Sequence, residues 1–165
     1  MTGCGSDEPS EGNMDTQRAE LLRRPGIEEI TRRYEEMQAR TRDELAQQFP
    51  WLDWRHVEDG TKAGCTGFDE FSGIAESNTL DMWSAEGNIP DPDWPRAEQI
   101  VARITAEYGF TPPETVVSRP ADHQIVGSDT YGAGYRFGTA KRTVLSGSTG
   151  CHLPQAEKDK FQNPS

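Results

Sequence analysis

The sequence predicts an α+β domain in which two main helices pack on one face of an antiparallel sheet. Two apolar stripes with steps of three and four residues predict the helices, and an alternating pattern near the C-terminus predicts a β-hairpin. A chain of 165 residues is long enough for one domain with a hydrophobic core. We therefore expect a single domain at residues 17–153, between a disordered tether at residues 1–16 and a flexible C-terminal tail at residues 154–165.

The first stripe predicts a long helix that begins after Gly26 and ends near Phe49. The side chains of its apolar face recur at every third or fourth position: Ile27, Ile30, Tyr34, Met37, Thr41 and Leu45. On the other faces, glutamates precede arginines by four residues, as Glu28 precedes Arg32. We expect this helix to bury one face and to expose the rest to solvent.

The middle of the chain gives a weaker pattern. Residues 51–76 have no clear period, and a short strand is expected near residues 51–57. Residues 77–85 alternate between two faces, with Trp83 and Ala85 on one face and Leu80 on the other, which predicts a strand.

The second stripe predicts a helix with marked ends. Asp93 is a favourable N-cap residue, Pro95 lies in the first turn, and Gly109 is typical of the position after a helix. The stripe between them comprises Trp94, Ala97, Ile100, Val101, Ile104 and Tyr108. We expect these side chains to pack on the sheet.

The predicted hairpin occupies residues 129–152. Tyr131, Ala133, Tyr135 and Phe137 alternate with polar residues, which is the pattern of a strand with one buried face. Residues 143–145 provide an apolar return strand, and residues 115–118 and 123–126 are expected to add strands before the hairpin.

Composition excludes several classes of function. The formal net charge of −11 discourages contact with phosphate backbones, so we expect no nucleic-acid binding. The sequence contains no run of about 18 apolar residues that could form a membrane span. The cysteines and histidines lack zinc-site spacing, and the acidic residues do not form a calcium loop, so we expect no metal site and no cofactor.

The first residues contain a candidate lipid attachment site. Gly3 before Cys4, followed by small, polar and acidic residues, resembles the lipobox of bacterial lipoproteins, in which the cysteine is acylated. The resemblance implies an exported protein held on the outer face of the cell membrane by a lipid on Cys4. The lipobox follows a basic and apolar leader, which the chain as written does not contain, so we expect a mature or truncated form. The alternative is a free cysteine in a disordered tail.

The number of cysteines favours a disulfide. If Cys4 carries lipid, then Cys65 and Cys151 remain as a pair in an oxidising compartment. Their disulfide would close a long loop and would stabilise the fold by roughly 4 kcal/mol in the chain-entropy model.

Four segments carry a resemblance to a known family. They are Trp83, residues 102–111 with the Tyr108-Gly109-Phe110 run, residues 129–133 and residues 148–153. These segments resemble the LppA and LppV-like lipoproteins of mycobacteria and related actinobacteria, over most of residues 27–153. The resemblance implies an acylated, cell-surface α+β domain and brings no activity with it.

Two hypotheses for function remain open at this stage. Trp51, Trp54 and Trp83, together with His123, are candidate contacts for a small ligand or an envelope protein, although burial in the core also explains some of the tryptophans. Alternatively, His123 next to Asp122 and with Asp129 nearby in the sequence could act as a general base in an envelope hydrolase. No nucleophile motif accompanies it.

Overall fold

The computed structural model describes residues 11–163. Four helices are present in this range: α1 at Glu11–Arg23, α2 at Ile27–Gln48, α3 at Trp94–Ala106 and α4 at Gln155–Gln162. The strands are β1 at Arg55–Glu58, β2 at Lys62–Ala63, β3 at Ser77–Asn78, β4 at Met82–Glu86, β5 at Glu114–Arg119, β6 at Asp122–Ser128, β7 at Gly134–Thr139 and β8 at Arg142–Ser148.

The main sheet has six strands in the order β1-β4-β8-β7-β6-β5, and every neighbouring pair is antiparallel. Strands β5 to β8 form a meander, as the sequence indicated. The predicted hairpin is confirmed as β7 and β8, but β7 begins at Gly134 and not at Tyr131. The carboxylate of Asp129 accepts hydrogen bonds from the amides of Tyr131 and Ala133, both at 2.9 Å, and closes a turn there. The alternation that included Tyr131 therefore begins inside a turn.

Helices α2 and α3 cover one face of this sheet. Tyr34 of α2 packs edge-on against Phe110, whose ring lies 5.3 Å from that of Tyr135 on β7. At the start of α3, Trp94 stacks on Phe137 with ring centroids 5.3 Å apart. The two predicted stripes and the alternate residues of the sheet thus form one core, and the predicted α+β arrangement is confirmed.

One predicted strand was wrong, and one predicted helix cap is confirmed in position but not in its hydrogen bond. Residues 77–85 form two short strands and not one, because β3 pairs with β2 in a separate two-stranded sheet while β4 joins the main sheet. Asp93 occupies the N-cap position of α3, but its side chain makes no capping hydrogen bond. The backbone there is already helical, and Pro95 follows in the first turn.

Parts of the segments predicted as tether and tail are helical. Helix α1 begins at Glu11, and α4 occupies most of the segment 154–165. The two helices contribute to a small second core of Leu21, Phe71, Ala75 and Leu153, on which Phe161 of α4 packs. The segment that forms α4 is polar, with one aromatic residue, and its sequence shows no apolar stripe. The ring of Phe161 packs against that of Phe71, with ring centroids 6.0 Å apart, and this contact holds α4 on the second core.

The Cys65–Cys151 disulfide joins the irregular middle of the chain to the end of the meander, with Cα atoms 5.5 Å apart. Beside it, the guanidinium of Arg24 donates hydrogen bonds to the carbonyl oxygens of Tyr131 and Cys151, at 3.0 and 2.8 Å. The segment between β1 and β3 contains little regular structure and buries only Phe71 and Ala75. It is therefore tied to the domain mainly through the disulfide and the second core.

Candidate functional site

A groove lies on the face of the main sheet opposite helices α2 and α3. It encloses about 570 Å³, and its lining residues come from strands and loops, with none from a helix. We call it the sheet groove. It is lined by Glu58, Asp59, Thr61, Thr79, Leu80, Met82, Val126, Gly127, Gly134, Tyr135, Arg136, Ser146, Gly147 and Ser148.

Strand alternation places the polar side chains of the groove on this face. Arg136 pairs in register with Val126 on one side and with Ser146 on the other, so these three residues form a row across three strands. Their sequence neighbours Tyr135 and Phe137 point to the opposite face, where both are buried. A single strand, β7, therefore supplies both the core and the groove.

Two glycines show how the groove differs from the packed face. A Cβ atom on Gly127 would lie 2.2 Å from the ring of Tyr135, so only glycine allows the tyrosine to pack across β6. A Cβ atom on Gly134 would find its nearest neighbour at 3.5 Å, an ordinary contact distance. The helix-covered face is thus tightly packed at Gly127, whereas the groove face has free space at Gly134.

The charged side chains that line the groove are not all paired with one another. Within residues 11–163, the guanidinium of Arg136 forms no ion pair and no hydrogen bond, although the carboxylates of Glu58 and Asp59 line the same groove. Threonine and serine residues also line the groove. The groove can therefore both donate hydrogen bonds to a ligand and accept them from it.

A cluster of His56, Asp59 and Asp81 lies at the edge of the groove, where β1 ends. The sequence analysis missed it, because the residues are spaced irregularly and come from a strand, a turn and a loop. Its signal in the sequence is limited to the Asp59-Gly60 turn. His and carboxylate side chains at this density can hold a metal ion.

Among the described residues, no ring contact joins the tryptophans predicted to contact a ligand, and none of them lines the sheet groove. Trp51 is 43% exposed and its ring covers Gly87. Trp54 is partly buried against the main core. Trp83 pairs in register with the buried Leu145, and its ring lies edge-on to His56 at 5.3 Å with the guanidinium of Arg42 of α2 over its face at 3.6 Å. Their role as ligand contacts stays a prediction.

His123 lies elsewhere, at the other end of the main sheet. Its ring stacks on Trp94, with centroids 5.2 Å apart, and its Nε2 atom lies 2.8 Å from Oδ1 of Asp91. This histidine and the amide of Ala121 both hydrogen bond to Asp91 and lower the pKa of that carboxyl. The sequence analysis had instead proposed Asp122 and Asp129 as neighbours.

Those two carboxylates have other partners. Asp122 pairs with Arg119, and Asp129 accepts a hydrogen bond from the hydroxyl of Tyr34. The Nδ1 atom of His123 is buried without a hydrogen-bond partner in the described part of the chain. Within the described residues His123 is hydrogen-bonded to a carboxylate and to no serine or cysteine, which is the kind of nucleophile that the hydrolase hypothesis needs.

Cys4, the predicted lipid attachment site, lies outside the described residues. Among the helices that are described, none has both the length and the apolar character needed to cross a membrane.

Comparison with known proteins places the chain in a family. The model of the LppA family, described as lipoprotein confined to pathogenic Mycobacterium, matches residues 3–155. The crystal structure of LppA from Mycobacterium tuberculosis is similar in fold, with a TM-score of 0.73 and 18% identity over 90% of each chain. A DUF4853 family protein from Actinomyces odontolyticus has a TM-score of 0.60 and 19% identity, over 81% of this chain and 72% of its own. No curated protein matches the chain. Because the family match covers nearly the whole sequence, this protein belongs to the LppA lipoprotein family.

Proposed function

We propose that this protein is a lipid-anchored domain on the outer face of the cell membrane and that its sheet groove binds a small, hydroxyl-rich ligand of the saccharide class. The observation that carries the proposal is Arg136, which within residues 11–163 forms no ion pair or hydrogen bond and lines a groove to which no described helix contributes. The domain acts here as a binding module.

The size of the sheet groove fits a small molecule. Ligand sites in proteins commonly have volumes of about 300–1,000 Å³, and the groove encloses about 570 Å³. Met82 and Val126 provide apolar surface within it, against which the carbon skeleton of a ligand can pack.

The chemistry of the lining favours hydroxyl groups on the ligand. A hydroxyl can donate a hydrogen bond to the carboxylate of Glu58 or Asp59 and accept one from the guanidinium of Arg136. A purely anionic ligand would be repelled by the two carboxylates, and a purely cationic one by the arginine. A molecule whose groups both donate and accept satisfies all three side chains.

The anchor follows from the family and from the first residues. Members of a lipoprotein family associate with membranes through a lipid on a cysteine, and Cys4 follows the small residue Gly3. Six residues separate Cys4 from the start of α1 at Glu11. At a maximum of about 3.6 Å per residue, they span roughly 20 Å, which keeps the domain close to the membrane surface.

The ligand proposal is tested by titrating ¹⁵N-labelled protein with a panel of soluble mono- and disaccharides in the presence of EDTA. We expect saturable shifts in the backbone amides of β7 and β8. Arg136→Ala should weaken binding at least about tenfold, because a hydrogen bond to a charged group contributes roughly 1.5–3 kcal/mol. Arg119→Ala is the matched control, since this exposed arginine lies outside the groove. Absence of shifts with every saccharide, or equal affinity in the Arg136→Ala variant, would contradict the proposal.

The anchor proposal is tested separately by metabolic labelling. The chain is expressed behind a lipoprotein leader in a bacterium that processes lipoproteins, and an alkynyl fatty acid is supplied. We expect label in the wild type and none in Cys4→Ala. Unlabelled wild-type protein, or label that persists in the variant, would refute acylation at Cys4.

A further inference from the structure

Three potential metal ligands converge at the point where β1 leaves the main sheet. The Nε2 atom of His56 lies 3.1 Å from Oδ1 of Asp59 and 3.3 Å from Oδ2 of Asp81. All three ligand atoms lie within 4.8 Å of one another. Imidazole nitrogen and carboxylate oxygen are both ligand types that bind metal ions in proteins.

Two of the three distances between these atoms match a single ion. Zinc binds histidine nitrogen and carboxylate oxygen at about 2.0–2.1 Å in tetrahedral geometry, so two ligand atoms of one ion lie about 3.3 Å apart. The two distances from His56 have this value within a few tenths of an ångström. An ion could enter the cluster with small movements of the side chains.

The backbone holds this arrangement in place. The amide of Gly60 donates a hydrogen bond to Oδ1 of Asp81 at 2.8 Å and leaves Oδ2 free to face His56. A Cβ atom on Gly60 would lie 2.2 Å from the carbonyl oxygen of Thr79, so the turn that carries Asp59 can approach Asp81 only with glycine at this position.

An irregularity in the pairing of β1 with β4 also affects the position of His56. The register between β1 and β4 shifts between His56 and Glu58, which is an irregularity of the kind that redirects side chains next to functional sites. The imidazole then rests against the edge of the Trp83 ring. The guanidinium of Arg42 lies over the face of the same ring at 3.6 Å and interacts electrostatically with Asp81.

We propose that His56, Asp59 and Asp81 form a binding site for a divalent transition metal ion of the zinc class. The three side chains are between 38% and 90% exposed, so solvent can supply the remaining ligand and the ion can exchange. The negative charge of the domain, with Glu58 next to the site, attracts cations to it. The site goes beyond the saccharide proposal, although Asp59 belongs to both the cluster and the groove.

The test is a calorimetric titration of tag-free, EDTA-treated protein with zinc chloride, in a buffer without saccharide. We expect one ion per chain. His56→Ala and Asp81→Asn should each weaken binding at least about tenfold, because even an indirect partner of a ligand typically contributes that much. Asp59→Asn provides a third variant in a side chain that is 90% exposed, so its substitution should leave the fold intact.

The matched control is His123→Ala, which removes a histidine that has a single carboxylate partner. We expect this variant to bind zinc as the wild type does. The proposal is wrong if the wild type fails to bind zinc, or if the His56→Ala and Asp59→Asn variants bind zinc as tightly as the wild type. The cluster would then be an ion pair between His56 and the two carboxylates. The zinc titration contains no saccharide and the saccharide titration contains EDTA, so the two proposals fail separately.

Discussion

The two faces of the main sheet differ in what covers them. On one face, Tyr135, Phe137 and Leu145 are buried beneath α2 and α3. On the other face, the adjacent Arg136 is exposed, and it lies between Val126 and Ser146 in the sheet groove. The same strands therefore serve stability on one side and remain available for a ligand on the other. Substitutions on the two faces should have separable effects.

The largest effect is expected on the covered face, at α3. Ile104 is fully buried in the main core, so Ile104→Ala should lower the free energy of unfolding by about 2–5 kcal/mol through lost burial and a cavity. Urea denaturation followed by circular dichroism measures this change. The control is Gln99→Ala on the exposed side of the same helix, which should have little effect. A midpoint for Ile104→Ala equal to that of the control would mean that the helix does not stabilise this face.

A smaller and more local effect is expected from the disulfide, which holds the segment at the edge of the groove. The segment from β1 to β3 carries Glu58 and Asp59 and has little core of its own. Reduction of Cys65–Cys151 should lower the free energy of unfolding by about 2–4 kcal/mol. Hydrogen exchange should increase more in residues 57–76 than in β7 and β8.

Intact mass with and without reductant provides the control for that experiment, since alkylation of the oxidised protein should leave Cys65 and Cys151 unmodified. Two free thiols in the natively folded, exported protein would contradict the disulfide. Equal loosening of the hairpin and the segment would contradict its local role.

The smallest effect concerns pH. His152 is fully buried, and its Nδ1–H donates a hydrogen bond to the carbonyl oxygen of Pro25 at 2.9 Å, while Nε2 has no partner among the described residues. Burial lowers the pKa of His152 below its usual value of about 6.5. Protonation therefore favours the unfolded chain. The stability that depends on neutral His152 is present above about pH 6.5 and is lost as the pH falls towards the folded-state pKa.

The measurement is urea denaturation of the wild type and of His152→Asn between pH 7.5 and 5.5. Asparagine can donate the same hydrogen bond and does not titrate, so the variant should lose less stability than the wild type over this range. The difference is at most about 1.4 kcal/mol per pH unit for one proton. An identical pH dependence in both proteins would show that His152 is not buried in its neutral form.

Much of the fold could be predicted from the sequence, because its helices and its hairpin carry their own periodicity. The stripes of α2 and α3 and the alternation around Tyr135 and Phe137 each arise within one element. The C-terminal helix could not be predicted in this way. Its one large apolar side chain, Phe161, contacts Phe71, which is distant in the sequence, so the contact leaves no local pattern.

The candidate site was less predictable, for a related reason. Alternation identifies Arg136 as facing away from Phe137, but only the placement of both helices on one side shows that the arginine stays uncovered. The partner of His123 is Asp91, which lies 32 residues away in the sequence, and not the adjacent Asp122. Contacts between distant segments carry no local pattern.

The most direct test of the difference between the two faces compares neighbouring residues of β7. Phe137 is fully buried and stacks on Trp94, so Phe137→Ala should lower the free energy of unfolding by about 3–5 kcal/mol. Arg136→Ala should change it by no more than about 0.5 kcal/mol, because exposed side chains without partners contribute little to stability. Urea denaturation of the two variants side by side gives both values. Equal losses in the two variants would contradict the account, since both faces would then be structural.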